Sequence, residues 1–483
     1  MKRVITKDNF EKEKTLIVIG SSLILIGVLC NEWIIAAFVC PDGTLTGFVY
    51  RIMVWFFDIS MISIGALLLI YRKSIRIRRK TILFSAITLA LIAAILEFGM
   101  QLLTLAFPRI NLLLSEIPLI IYDGKLGHRP NPMCPGHDRN GFRNESVPEK
   151  ADIVAMGDSQ TYGWGVRADQ SWPQQMQKLC EIRVYNMAFG GYGPVHNLIL
   201  LDEALKFKPQ ILIEAFYAGN DLYDSYHLVY DNHQLPDLKI SDERIMRAIS
   251  EAENIEPLRE RISRLLHMDQ INTQRPTGSS LIKYFSDNCK LFRLFSTLNK
   301  LCGNYRRSDG PTWELEKKYA IENKKYCQPI ECGKFCTVLT PDHRLCAVNL
   351  NDPRIAEGHR LSLEAIRLMD KRTRMANIDF IVLLIPTKEL VFKNVVYETG
   401  QTIPDVYKTL IDNEELLWHR TKAYLKNQGI DYIDSLPVLR GCFQSGAQPY
   451  KITSDGHPNP IGHRAIAELV LSTLRNSKYS VLK

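Results

Sequence analysis

Four short blocks, far apart along the chain, hold the residue types that could do chemistry. The first is Met156-Gly157-Asp158-Ser159-Gln160-Thr161-Tyr162-Gly163. It places a serine straight after a short apolar run, in a Gly/Asp turn that leads toward a helix. Such a turn exposes a hydroxyl at the C-terminal edge of a strand, close to the positive ends of backbone N–H groups. Gly-Asp-Ser alone is also an ordinary turn, so the block gains meaning only from its company. Asn186-Met187-Ala188-Phe189-Gly190-Gly191-Tyr192-Gly193 closes a second strand candidate, and Ala218-Gly219-Asn220-Asp221 closes a third. Ser454-Asp455-Gly456-His457-Pro458-Asn459-Pro460 stands just before the last helix candidate. A hydroxyl, an imidazole and anion-stabilising donors in one pocket would suit nucleophilic attack on a carbonyl.

Elements that alternate between strand and helix must bring these blocks together. Strands are expected at 153–156, 184–188, 211–217, 380–385 and 432–433. Helices are expected at 171–180, 195–207, 353–376, 414–426 and 460–474. The run at 380–385 is apolar throughout, as a strand covered on both faces requires. Repeated alternation of this kind predicts an α/β fold, a parallel sheet with helices on both sides. Residues 108–150, which include Pro108, Pro118, Pro130, Pro132 and Pro135, read as a linker and lead-in. A polar, Cys-containing stretch at about 225–350 reads as an insertion above the C-terminal edge of the sheet, with helices at 243–266 and 281–301. No internal repeat is evident.

The four blocks, in this order and each at a strand-to-loop junction, resemble those of the SGNH/GDSL hydrolase superfamily over residues 140–475. The resemblance implies a flavodoxin-like, three-layer SGNH-hydrolase domain with a parallel sheet, at 151–483. It matches Ser159 to the nucleophile, Gly191 to the oxyanion-hole glycine, Asn220 to the amide donor of that hole and His457 to the general base. Asp455 would orient His457. Each role has a physical need. A serine hydroxyl attacks well only as a base removes its proton. The tetrahedral oxyanion needs donors already in place, and a carboxylate on the other ring nitrogen fixes the histidine tautomer. Two positions depart from the family pattern. Gln160 stands where Leu is common. The last block is commonly Asp-x-x-His, whereas here position 454 is Ser and Asp455 stands two residues before His457, so contact requires an extended segment whose i and i+2 side chains point the same way. That spacing is similar to the branch that includes polysaccharide O-acetyltransferases.

Other residues near the blocks have plainer readings. Asp158 braces its turn, and Asp221 makes local backbone bonds. His196 lines a helix N-terminus, and His463 packs or caps the last helix. Lys388, in Pro386-Thr387-Lys388-Glu389, is either part of an ordinary strand-end loop or a rim cation for an anionic or sugar substrate. Tyr162, Trp164 and Trp172 form either core or an aromatic wall.

The 483-residue chain is 46% hydrophobic and 23% charged, which excludes disordered, collagen-like and coiled-coil classes. Its net charge of +8 is uneven. Residues 1–80 hold 12 Lys/Arg against 6 Asp/Glu, and the remainder holds 48 against 46. The basic excess thus lies at one end and leaves no nucleic-acid footprint. Apolar runs at 16–39, 52–71 and 82–107 each reach the roughly 20 residues that cross a bilayer. They predict a membrane anchor of three N-terminal transmembrane helices over 1–107, the first of them uncleaved. Basic clusters at 2–14 and 72–80 place the N-terminus in the cytoplasm and the catalytic domain outside it, periplasmic or extracellular. Nine of the eleven cysteines follow residue 108, and in such a compartment they favour disulfides. Cys327, Cys332, Cys336 and Cys346 could also hold zinc, but their spacing matches no common finger or ribbon.

These readings converge on an expectation. The chain would be a membrane-anchored serine esterase that cleaves acyl esters through an acyl-serine intermediate, with acylated carbohydrate or lipid esters as substrates and no metal or cofactor. Two alternatives stay open. One is an O-acyltransferase that modifies an exported glycan, fed by a membrane acyl-donor partner. The other is an idle carbohydrate-binding or assembly protein.

Overall fold

A computed structural model describes residues 16–18, 20–25, 28, 48–71, 96–97, 101, 118–270, 289–290, 293–294, 312–400 and 402–475. The chain falls into two compact units. One comprises Met1–Ile117 with Thr273–Thr312, and the other Pro118–Asn272 with Trp313–Lys483.

In the first unit the described helix Phe48–Ile70 covers most of the second expected span. Among the described residues no helix is long and apolar enough to cross a membrane. This corrects the expectation of three transmembrane helices. It also corrects the multi-pass placement built on them, because basic flanks orient spans only where there are spans. Arg51 and Asp58 lie within Phe48–Ile70, and Asp58 is buried; charges inside an apolar run are what a bilayer interior penalises. The expected spans at 16–39 and 82–107, and the expected helix at 281–301, lie largely outside the described residues.

The second unit is built on a five-stranded sheet. In chain order its hairpin and sheet strands are β1 (Ile120–Asp123), β2 (Gly127–Pro130), β3 (Ile153–Met156), β4 (Val184–Asn186), β5 (Ile211–Tyr217), β6 (Gln328–Cys332), β7 (Phe335–Leu339), β8 (Asp379–Ile385) and β9 (Asp431–Asp434). The order β4-β3-β5-β8-β9 is parallel throughout. Counted within this sheet alone, that is the 2-1-3-4-5 order of flavodoxin-like folds. Pairs β1–β2 and β6–β7 are separate antiparallel hairpins.

Period-two alternation splits the strands between two cores. Val154, Met156, Leu212, Phe216, Val382 and Leu384 face one side and pack with residues of helices Pro194–Leu205, Asp221–Tyr230, Pro353–Met375 and Asp405–Gln428. Ile153, Ala155, Ile213, Ala215, Ile381 and Leu383 face the other side, against helices Trp172–Cys180 and Pro460–Arg475. Every residue of β3, β4 and β5 is buried. That dictates their mainly apolar character, which only Asn186 and Glu214 break.

The expected helix at 243–266 is two helices, Glu243–Ile255 and Leu258–Gln270. Pro257 divides them, since proline disfavours helical backbone in the residue before it. Cys134, Cys180, Cys332, Cys336, Cys346 and Cys442 are thiols, which corrects the expectation of disulfides for these residues. The hairpin register shows why for one tempting pair: Cys332 faces Phe335, while Cys336 faces Glu331. Cys302 lies outside the described residues.

Candidate active site

Three adjacent strand ends and one late loop converge at the carboxyl edge of the sheet, where the strand order reverses between β3 and β5. Open α/β sheets place ligands at such a point. β3 ends at Met156. Gly157 follows with φ +150, and a Cβ there would meet Thr161 Oγ1 at 2.7 Å and the Ala215 carbonyl oxygen at 3.1 Å, so only glycine makes this turn without strain. Asp158 then caps the short helix Ser159–Tyr162, its Oδ1 accepting the Gln160 N–H at 2.9 Å. The sharp turn leaves the Ser159 hydroxyl at the helix start.

His457 Nε2 lies 2.8 Å from Ser159 Oγ, and His457 Nδ1 lies 2.5 Å from Asp455 Oδ1. With Nδ1 donating to the carboxylate, Nε2 is the accepting nitrogen that faces the hydroxyl. The backbone N–H of His457 donates to the same Asp455 oxygen at 3.0 Å, and Lys451 Nζ donates to Asp455 Oδ2 at 3.1 Å. Burial pushes the Asp455 carboxyl up. The bond and charge of His457, with Lys451, outweigh it and hold the group well below the usual carboxylate range. The two-residue spacing therefore permits direct contact, through a bend in which both the His457 N–H and its ring meet Asp455 Oδ1 rather than through an extended segment.

The second block is strapped over the first. Phe189 N–H donates to the Gly157 carbonyl at 3.2 Å, and Asn186 Nδ2 donates to the Thr161 carbonyl at 2.9 Å. A Cβ on Gly190 would stand 3.8 Å from Ser159 Cβ, and Gly191 holds φ +77. His128, on β2, donates through Nε2 to the Gly190 carbonyl at 2.9 Å. Nothing in the sequence pointed to His128, because it sits in a stretch that reads as lead-in.

Asn220 follows β5. Its Nδ2 donates to Asp224 Oδ2 at 2.7 Å, and its Oδ1 is buried without a hydrogen-bond partner. The amide thus lies beside the nucleophile's turn but is engaged with a carboxylate. Asp158, Glu214 and Asp221, all buried, and half-buried Asp224 gather around it. Burial pushes Asp158 up to about 6, Glu214 up to about 8 and Asp224 up to about 7. Asp221 is raised well above its ordinary value for the same reason. Partial protonation at neutral pH keeps this cluster from accumulating charge next to the hydroxyl.

These groups have a consequence for stability. The unfolded chain loses carboxyl protons near pH 4, whereas folded Glu214 and Asp224, and Glu414, held up to about 7 by burial, keep theirs longer. Stability therefore falls as pH rises from about 6.5 to 8. Below about 6.5 three buried imidazoles oppose this trend. Burial pushes His196 and His463 down to about 3 and His359 down to about 4, so only the unfolded chain binds those protons. Denaturant unfolding of the full chain is expected to give a lower free energy at about pH 8 than at about pH 6. An equal or higher value at the alkaline pH contradicts this account.

The remaining sequence readings sort clearly. Asp221 Oδ2 accepts the Tyr217 N–H at 2.8 Å, a local backbone bond as expected. His196 Nδ1 accepts the Gly193 N–H at 3.2 Å at a helix start, and His463 is fully buried in the last helix. Trp172 is core, and Tyr162 is buried with its hydroxyl on His137. Trp164 alone of the three aromatics is exposed. It lines a cavity of about 760 Å³ together with His128, Gly190, Gly191, His196 and Asp224. Lys388 is no rim residue: it is fully buried.

No protein-family model and no curated protein matches the chain. Among solved structures it is similar to a GDSL-like lipase from Bacteroides thetaiotaomicron, with 11% identity over 68% of this chain and 92% of that one and a TM-score of 0.29. It is also similar to an extracellular lipase from Streptomyces rimosus, with 13% identity over 67% and 99% and a TM-score of 0.30. A third is a catalytic mutant of an acetylxylan esterase from Geobacillus stearothermophilus, with 9% identity over 70% and 98% and a TM-score of 0.29. The functional reading rests on the geometry of the site itself.

Proposed function

We propose that this chain is a serine esterase of SGNH type that cleaves acyl esters through an acyl-Ser159 intermediate. One observation carries the reading: the continuous relay from Ser159 Oγ to His457 at 2.8 Å and from His457 to Asp455 at 2.5 Å. As Ser159 Oγ attacks the ester carbonyl, His457 Nε2 takes its proton, and Asp455 stabilises the imidazolium. The carbonyl electron pair moves to oxygen, where the N–H groups of Ser159 and Gly191 and the Asn220 amide are the candidate donors. Collapse expels the alcohol, which takes the proton from His457. Water then repeats the cycle: His457 deprotonates it, it attacks the acyl group, and Ser159 leaves reprotonated with the carboxylic acid as product. The cavity beside Gly190 and Gly191, with Trp164 and polar groups on its wall, favours a carbohydrate as the alcohol. The same cavity supports transfer as a second reading, in which a sugar hydroxyl takes the place of water.

The test uses the full purified chain with a small acetyl ester, with and without an oligosaccharide. Expected results are ester turnover, and a serine-directed phosphonate found by mass spectrometry on the peptide that carries Ser159. Acetylated oligosaccharide favours transfer, whereas acetate alone favours hydrolysis. Equal turnover in Ser159→Ala refutes both.

A further inference from the structure

Two buried cations lie behind the relay, and the mechanism above uses neither. Lys388 follows β8 and is fully buried. Its Nζ donates to three main-chain carbonyls: Val338 at 2.9 Å, Thr453 at 2.6 Å and Asp455 at 3.3 Å. The first acceptor belongs to β7, and the other two belong to the loop that carries His457. Arg344, on helix Pro341–Val348, is also buried. One of its terminal nitrogens donates to the Gly219 carbonyl at 3.4 Å. The other occupies the place where a Gly456 Cβ would project, 2.4 Å away from it. A single guanidinium thus touches the residue before Asn220 and the residue before His457. Glu389, next to Lys388 in the chain, lies beside Arg344. Its Oε1 accepts the Thr340 N–H at 2.9 Å, and its Oε2 lies 3.8 Å from Arg344 Nε.

We infer that Lys388 and Arg344 are positioning residues that hold the 453–457 loop, and with it His457, in register with Ser159 and the Asn220 loop; this rests on the esterase reading. The chemistry of the contacts argues for position over bulk. An apolar side chain would fill the space under the loop without the cost of burying an ammonium. An ammonium gathers several carbonyls at fixed distances, and the planar Arg344 guanidinium donates to the Gly219 carbonyl while packing flush against Gly456. Both partners are main chain, so the contacts fix the path of the loop itself. Burial pushes Lys388 down to about 8, so the charged form still prevails at neutral pH. Segment 328–348, part of what reads as an insertion, in this way becomes part of the site's frame.

The experiment uses the full chain with Lys388→Met, Arg344→Lys and Gly456→Ala. A phosphonate end point counts the competent Ser159 sites, and kcat is expressed per counted site. A shift of about 1 Å in a positioned group costs on the order of 10²-fold in rate. Each variant is therefore expected to lose about 10- to 10²-fold in kcat per site, with KM held within about twofold. Residues that only stabilise the fold would change the number of competent sites and leave kcat per site alone. Unsubstituted kcat per site in all three variants overturns the inference while the esterase reading stands. If Lys388→Met does not yield folded protein, Arg344→Lys and Gly456→Ala decide by the same criterion. Absence of Ser159-dependent turnover in the unsubstituted chain refutes the esterase reading, and the inference falls with it.

Discussion

Replacing His457 with glutamine is expected to lower kcat/KM for an acyl ester by about 10⁴–10⁶, the range seen when one member of such a relay is removed. Glutamine keeps roughly the reach of the imidazole, and its amide can still hydrogen-bond the Ser159 hydroxyl. It cannot take the proton that attack releases. The effect is therefore on chemistry more than on folding: the His457 side chain is one-fifth exposed, and removing it opens no large core void. Phosphonate labelling of Ser159 should slow in parallel, because it needs the same proton removal. The structure holds a rival base. Asp158 Oδ2 lies 3.3 Å from Ser159 Oγ, and burial raises that carboxyl to about 6. His457→Gln activity within about tenfold of the unsubstituted chain would assign the base role to Asp158 and break the relay. Geometry favours His457, since its contact is 0.5 Å shorter and Asp158 already serves the turn through the Gln160 N–H.

How much of this was legible beforehand differs by element. β3, β5 and β8 could be read because both their faces are covered, so Ile153–Met156 and 380–385 form unbroken apolar runs and Ile211–Tyr217 is apolar but for Glu214. The loops after them could be read because a glycine turn, a serine and a histidine are unusual enough in that order to resemble one family. Hairpins β1–β2 and β6–β7 could not. Their strands are short, only partly buried and interrupted by Pro130 and Pro329, so the alternation that marks a strand is missing. His128 went unseen for that reason, and with it the contact that holds the Gly190 carbonyl. Lys388 shows a different limit. A lysine after an apolar strand reads as a rim residue because burying an ammonium is costly. In the fold, however, Val338, Thr453 and Asp455 offer it three carbonyls. The apolar runs near the N-terminus gave the opposite error: hydropathy alone suggested spans that the described helices do not supply.

Asp455→Asn is expected to cost about 10⁴ in kcat, and the cause is tautomer rather than lost charge alone. An asparagine at 455 would have to present its carbonyl to the Nδ1–H of His457 to keep Nε2 free. Lys451 opposes that orientation. Its ammonium donates to the other carboxylate oxygen at 3.1 Å and would face an NH₂ group if the carbonyl turned toward His457. The His457 N–H, which donates to Asp455 Oδ1 at 3.0 Å, favours the first orientation, but a charged donor is the stronger partner, so the favoured rotamer offers its carbonyl to Lys451 and its NH₂ to the ring. Nδ1 then accepts, the ring proton moves to Nε2, and a donor faces the Ser159 hydroxyl where an acceptor is needed. Adding Lys451→Met to Asp455→Asn removes the bias, and the double variant is expected to recover about tenfold or more of the lost kcat. In the unsubstituted chain Lys451→Met should do the reverse and lower activity modestly, because it weakens the hold on Asp455 Oδ2. Opposite signs of one substitution in two backgrounds are hard to obtain from a change in stability alone. Asp455→Asn activity within about tenfold of the unsubstituted chain, or a double variant no better than the single, would show that the carboxylate does not set the tautomer.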